Sequence, residues 1–368
     1  MTTLRALSET DRLAWVRLSR TQNIGPVTFS QLIQRYGSAA NALSALPDLT
    51  RKRKLQPPPE QVIEQELGRV KKYGARIIAS CEPDYPSALR AVDPPPPIIT
   101  VFGDLGLFKQ PAIAIVGARN ASAAGRKIAR DFASELGKAG YVIVSGLARG
   151  IDGEAHAASL DTGTIAVLGG GIDHIYPPQH DRLYSAVVNQ GVIVSESPFR
   201  HRATAKDFPR RNRIITGLSR GTVVIEAAER SGSLISARTA MEQNREVMAV
   251  PGSPLDPRSR GANRLIQQGA ALVSSSDDIL DVIDSMSAMQ FRSPPSYAFE
   301  GEPGSDMLPE HQIDAVREAL SFTPMKLDDI AIAANISAAR CAAILMELEL
   351  SGIARTLAGG LAILADTA

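Results

Sequence analysis

At 368 residues with 44% hydrophobic side chains, the chain has room for two or three domains around ordinary cores. Forty Lys and Arg against 39 Asp and Glu leave a net charge of +1, which excludes a globally basic nucleic-acid binder but allows a local basic patch. The two cysteines, Cys81 and Cys341, give neither zinc spacing nor a disulfide framework, and no run approaches ~18 apolar residues, so the expectation is a cytoplasmic protein with no membrane segment and no metal.

The chain opens on a polar helical pattern rather than a signal segment. Leu13, Val16 and Leu18, then Asn23-Ile24-Gly25-Pro26, then Phe29, Leu32 and Ile33 read as helix, turn and helix. That pattern fits a helix-hairpin-helix, whose glycine turn brings N–H groups to a DNA phosphate, and equally fits an ordinary helix connection. Residues 1–72 are therefore assigned to a small helical (helix-hairpin-helix or SAM-like) domain. Arg51 to Lys54 followed by Pro57 to Pro59 reads as a solvated charge run entering a stiff linker. Pro94 to Pro97 precede Ile98 to Phe102, which is expected to add a strand at the edge or start of a sheet, since proline opens strands but does not sit inside them.

Seven short apolar runs follow: Ile113 to Val116, Val142 to Val144, Ile165 to Leu168, Val192 to Val194, Val223 to Ile225, Val247 to Val250 and Ala271 to Val273. Each is too uniformly apolar for a half-exposed strand, and each recurs after one crossover helix's worth of chain. Together they predict an α/β fold with a doubly wound, mostly parallel sheet over residues 73–285, with its ligand site beyond the strands' carboxyl ends. Residues 286–308 read as a linker. From Glu310 three helical patterns and a strand, Gly359-Gly360, strand pattern give a winged helix over 309–368. That domain holds eight acidic residues against four basic ones, a charge that repels phosphate and favours a protein-contact or packing role over major-groove binding.

On the rim, Gly117-Ala118-Arg119 leads into a helix with Ser122 as N-cap, a turn that offers N–H donors and a full charge to an anion. It lacks the spacing of a P-loop or a dinucleotide fingerprint. Ser145, Asp152 and His156 superficially suggest a triad, but the nucleophile elbow is missing, and capping with a local Asp152–His156 ion pair accounts for the last two. His174 and His180 have no third ligand at metal spacing. The densest charge runs from Arg200 to Arg220, seven Lys or Arg against Asp207, with Phe208 among them. Cations that track a backbone beside a ring on which a base stacks are what single-stranded nucleic acid requires.

Ile115-Val116-Gly117-Ala118-Arg119, Val144 to Asp152 with Ala155-His156, Thr164 to Gly169 with Gly171-Ile172-Asp173 and Tyr176-Pro177, Phe208 to Ile215, Ser231 to Ala237 and Ala249 to Gly252 closely resemble, in order, the motifs of the DNA-processing protein DprA (Smf) family. The resemblance covers roughly residues 75–275. It implies a Rossmann-like domain that binds single-stranded DNA, forms a homodimer and loads the RecA recombinase in natural transformation, with no cofactor and no catalytic residue. It also implies a small helical domain before and a winged helix after. The family's Gly-Ser-Arg motif falls on Gly117, Ala118 and Arg119, with Ala118 replacing the usual Ser, and its basic pocket on Lys206, Arg210, Arg211, Asn212 and Arg213. Ser145, Gly146, Gly169 and Phe208 complete the expected DNA-binding set.

Two alternatives remain. Gly221-Thr222 with Glu226 looks like half of the phosphate motif of Rossmann-like nucleotide phosphoribohydrolases, although Gly217-Leu218-Ser219-Arg220 stands where that motif has glycines. A transcription regulator rests on the winged helix alone.

Overall fold

In the computed structural model, which describes residues 4–49, 55–290, 309–357 and 360–365, all seven apolar runs become adjacent parallel strands. These are β3 (Ala112–Gly117), β4 (Val142–Ser145), β5 (Thr164–Leu168), β6 (Val192–Ser195), β7 (Gly221–Ile225), β8 (Glu246–Ala249) and β9 (Ala271–Leu272). Alternation along β3 explains their uniform apolarity. Ala112, Ala114 and Val116 enter the core on one face, while Ile113 and Ile115 enter the core on the other. Both faces are covered by helices, as a parallel sheet requires.

The sheet has nine strands, in the order β1-β2-β6-β5-β4-β3-β7-β8-β9. Ile98 to Phe102 do form a strand, β2 (Ile98–Gly103), but it lies one place in from the edge. It pairs antiparallel with β6 and, on its outer side, with β1 (Arg76–Ala79), which lies before the series of strands spaced by crossover helices and so has no such spacing to mark it.

Helices α4 (Glu60–Lys72) and α5 (Ser87–Arg90) flank β1 in sequence. The crossovers carry α6 (Ala123–Lys138), α7 (Ile151–Ala158), α8 (Asp181–Gln190), α9 (Asp207–Gly217), α10 (Gly232–Glu242) and α11 (Arg260–Gln267), and α12 (Ser276–Gln290) follows the last strand. The basic segment is thus largely helical. Pro209 is accommodated in the first turn of α9, where its missing N–H has no intrahelical partner to lose.

The chain divides into two units, residues 1–5 with 66–294 and residues 6–65 with 295–368. The second contains α1 (Glu9–Ser19), α2 (Pro26–Tyr36) and α3 (Ala39–Leu49), in which Trp15 and Phe29 meet edge to face at 5.0 Å. Pro26 opens α2 directly after Gly25, as the turn predicts. It also contains α13 (Glu310–Ala319), α14 (Leu327–Ala333), α15 (Ala338–Leu350) and the hairpin β11 (Ala354–Leu357) and β12 (Leu361–Leu364). The short strand β10 (Met325–Lys326), absent from the sequence reading, pairs with β12 and completes the winged-helix sheet. Arg51 to Lys54, Gly359 and residues 291–308 of the expected linker lie outside the described residues. Among the described residues, no single helix is long and apolar enough to cross a membrane.

Candidate nucleic-acid interface

The strand order reverses at β3, with β4, β5 and β6 on one side and β7, β8 and β9 on the other. Crossovers that run in opposite directions leave a crevice beyond the carboxyl ends of the central pair, here β3 and β7. A cavity of about 390 Å³ opens there. Two non-glycine residues on the surrounding rim, Leu147 after β4 and Glu226 after β7, hold left-handed backbone (φ 55° and 52°), a conformation that surrounding structure must enforce.

Phe208, from the first turn of α9, is the half-buried centre of this crevice. The Arg119 guanidinium lies 4.9 Å from its ring centroid, that of Arg211 6.0 Å, and the Tyr176 ring 5.6 Å. Arg119 is exposed and has no ion pair among the described residues. Lys206, just before α9, is likewise exposed and unpaired, because Asp207 turns its carboxylate to His201 and to the amide and hydroxyl of Thr204. Burial would raise the Asp207 pKa, but these donors outweigh it and lower it.

The remaining cations of the segment have partners. Arg210 Nε and Arg213 Nη2 donate to the two oxygens of buried Glu196, at 3.1 and 2.5 Å. Burial alone would raise the Glu196 pKa, but the two arginines overcome it and hold the carboxyl below its ordinary value. Arg211 is only 6% exposed. Its Nη1 donates to Gly146 O at 2.5 Å and also to Val167 O, tying α9 to the ends of β4 and β5. Desolvation lowers its pKa to about 10, leaving it charged at neutral pH. A Cβ on Gly146 would lie 2.3 Å from that guanidinium, so this glycine makes room for the arginine. Asn212 is buried and donates to Gly232 O.

Two glycines of the predicted set also serve close packing. A Cβ on Gly117 would meet Ile225 O at 1.9 Å, and one on Gly169 would rest on the Phe208 ring. Ser145 is fully buried and donates to Ile115 O at 2.6 Å. The expected Asp152–His156 ion pair does not form. Asp152 instead accepts from the amides of Gly146 and Ala148, and burial raises its pKa despite nearby Arg211. His156 accepts from Leu147 N at Nε2 and meets Thr164 Oγ1 through Nδ1. Burial, reinforced by Arg211, lowers its pKa to about 3, so the imidazole is neutral. Ser145, Asp152 and His156 are thus each bonded to other partners and do not assemble as a triad.

The turn after β3 does hold an anion, but an internal one. Ser122 caps α6, accepting from Gly125 N, while its own N–H and hydroxyl donate to the two oxygens of Glu226. Gly125 gives that carboxylate room, since a Cβ there would lie 2.6 Å from it. The positive end of α6 is therefore already neutralised.

The crevice also contains residues to which the sequence reading gave no role. Arg230, exposed and unpaired among the described residues, precedes the N-cap Ser231 of α10, and Ser233 stands in that helix's first turn. The signal was available, because any helix that follows β7 directly begins at the switch point. No His, Cys, Asp or Glu cluster among the described residues could hold a metal ion.

Comparison with known proteins gives one consistent picture. Residues 76–284 match the family model of the DNA recombination-mediator protein A, residues 9–68 that of a DprA-like N-terminal HHH domain and residues 303–360 that of a DprA winged helix domain. The DNA processing protein DprA of Bacillus subtilis is 42% identical over 218 residues, 58% of this chain and 73% of that protein. The crystal structure of DNA processing protein A from Streptococcus pneumoniae is similar with a TM-score of 0.61 at 32% identity, covering 75% of this chain and 98% of that one. A Helicobacter pylori DNA processing protein A, described for its single-stranded DNA binding mode, is similar with a TM-score of 0.52 at 27% identity over 58% of this chain and 96% of its own.

Proposed function

The chain belongs to the DprA family of DNA recombination mediators, and on that premise we propose that its rim crevice binds single-stranded DNA. One observation carries the reading: a half-buried ring, Phe208, with the unpaired guanidinium of Arg119 beside it and unpaired Lys206 two residues away. A base stacks on the ring while the cations take the flanking phosphates, an arrangement that tolerates any sequence. Arg230 and the start of α10 extend the positive surface across the switch point. Arg211 acts as an internal strut under the platform, and Arg210 and Arg213 are held by Glu196. The binding of single strands by the Helicobacter pylori relative supports the reading. We further propose, on family membership alone, that the protein works in the cytoplasm as a homodimer, protects incoming strands and loads RecA onto them.

The hydrolase alternative is less well supported, because Glu226, which it would need as its working carboxylate, is bonded through both oxygens to Ser122. Fluorescence titration with single-stranded and duplex oligonucleotides at two salt concentrations tests the proposal. It requires clear preference for the single strand with little dependence on sequence, and equal affinity for both at moderate salt refutes it.

A further inference from the structure

The basic segment ends at Arg220, yet that residue does not reach the rim. It precedes β7 and donates its N–H to Ala112 O at 2.8 Å, which places it at the amino end of the sheet. A second cavity, of about 690 Å³, lies there. Its volume falls within the range of small-molecule sites. Leu107, Phe108 and Leu218 supply apolar wall, Lys109, Arg220 and Arg245 supply charge, and no carboxylate is among its lining residues. Lys109 and Arg220 have exposed side chains without an ion pair among the described residues. Arg245 spans the cavity's edge, with Nη2 donating to Ala88 O at 3.1 Å, while its Nε is buried and has no hydrogen-bond partner. Burial lowers its pKa and no neighbouring carboxylate offsets that effect.

A buried donor without an acceptor is unfavourable, and three cations gathered on one cavity with no carboxylate in its lining repel one another. A ligand that brings several acceptor oxygens and negative charge removes both penalties at once. The room beyond a bare phosphate, and the half-buried ring of Phe108, suit a planar body attached to it. We propose that this amino-end cavity is a second, separate binding site, for the phosphate of a nucleotide, held by Lys109, Arg220 and Arg245. The nucleotide is either a free monophosphate or one unit of a DNA strand.

Calorimetric titration of the full chain with 2′-deoxyadenosine 5′-monophosphate tests this. Binding is expected with a Kd below about 1 mM and is expected to persist in the Arg119→Ala protein, which lacks the rim's own phosphate contact; in that background Arg245→Met or Arg220→Ala weakens it about tenfold. Lys109→Ala, on an exposed side chain with no ion pair among the described residues, must weaken it too, which keeps the test decisive if Arg245→Met does not fold. Competition by short oligo(dT) that survives in the Arg119→Ala protein identifies the strand as the source, and its absence identifies the free nucleotide. No binding at about 1 mM, equal affinity in the Lys109 and Arg220 variants, or loss on Arg119→Ala overturns the proposal.

Discussion

Arg119 and Arg211 both bring a guanidinium to the Phe208 ring, from 4.9 and 6.0 Å, yet they belong to physically different regions. Arg119 is exposed on a loop with its donors open to solvent. Arg211 is buried, bonded to the carbonyls of Gly146 and Val167 and balanced by Asp152. Removing the first takes away its contact with the Phe208 ring and leaves no buried group without a partner. Removing the second leaves two strand-end carbonyls and a buried acid without their partner. The difference shows that a dense cluster of cations in a sequence divides into those bonded inside the fold and those left open to solvent.

The largest effect that would break this distinction is on stability. Arg211→Ala is expected to destabilise the fold by about 3–5 kcal/mol, as removal of one partner from a buried charged network does, while Arg119→Ala stays within about 0.5 kcal/mol. Urea denaturation compares them directly, and similar losses would erase the distinction between the two regions.

A second expectation sharpens the interior side. The unfolded His156 imidazole titrates near 6.5 and the folded one near about 3, so the unfolded chain binds more protons between those values. Its contribution to stability is complete above pH 6.5 and is lost as pH falls towards 3, by up to about 1.4 kcal/mol per unit. Denaturation at neutral and mildly acidic pH should show that His156→Gln depends less on pH than the unmodified chain. An unaltered dependence would mean that the imidazole is not held neutral.

On the ligand side, Phe208→Ala should cost roughly 1–3 kcal/mol of single-strand affinity while leaving its salt dependence unchanged, since a stacking platform releases no counterions. The smallest effect is expected from the winged helix. Lys326→Ala with Arg355→Ala, two exposed cations of a net acidic domain, should leave affinity within about threefold, and a larger loss in the same titration would place the wing on the DNA.

The strands that build the rim were legible because burial on both faces leaves continuous apolar runs, so Ile113, Val144 and Val223 mark the sheet without ambiguity. β1 was not, because Arg76 to Ala79 stands before the repeating strand and crossover-helix spacing and pairs only with the antiparallel β2. The site was legible in composition but not in charge pairing. Glu196 stands 14 and 17 residues from the arginines it binds, and only folding across β6 and α9 brings them together. Arg220 closes the same basic run in sequence, but the length of α9 carries it to the opposite end of the sheet. The carboxylate of Glu226 filling the positive end of α6 was equally hidden, since 104 residues separate it from Ser122.

The central claim is that unpaired cations around Phe208 take the phosphates and that those bound to Glu196 do not. Its most direct test is the slope of log affinity against log salt for oligo(dT), measured for the unmodified chain, Arg119→Ala and Arg213→Ala. A slope flatter by about 0.7 is expected for Arg119→Ala and an unchanged one for Arg213→Ala. A slope that ignores Arg119→Ala and flattens with Arg213→Ala would contradict it.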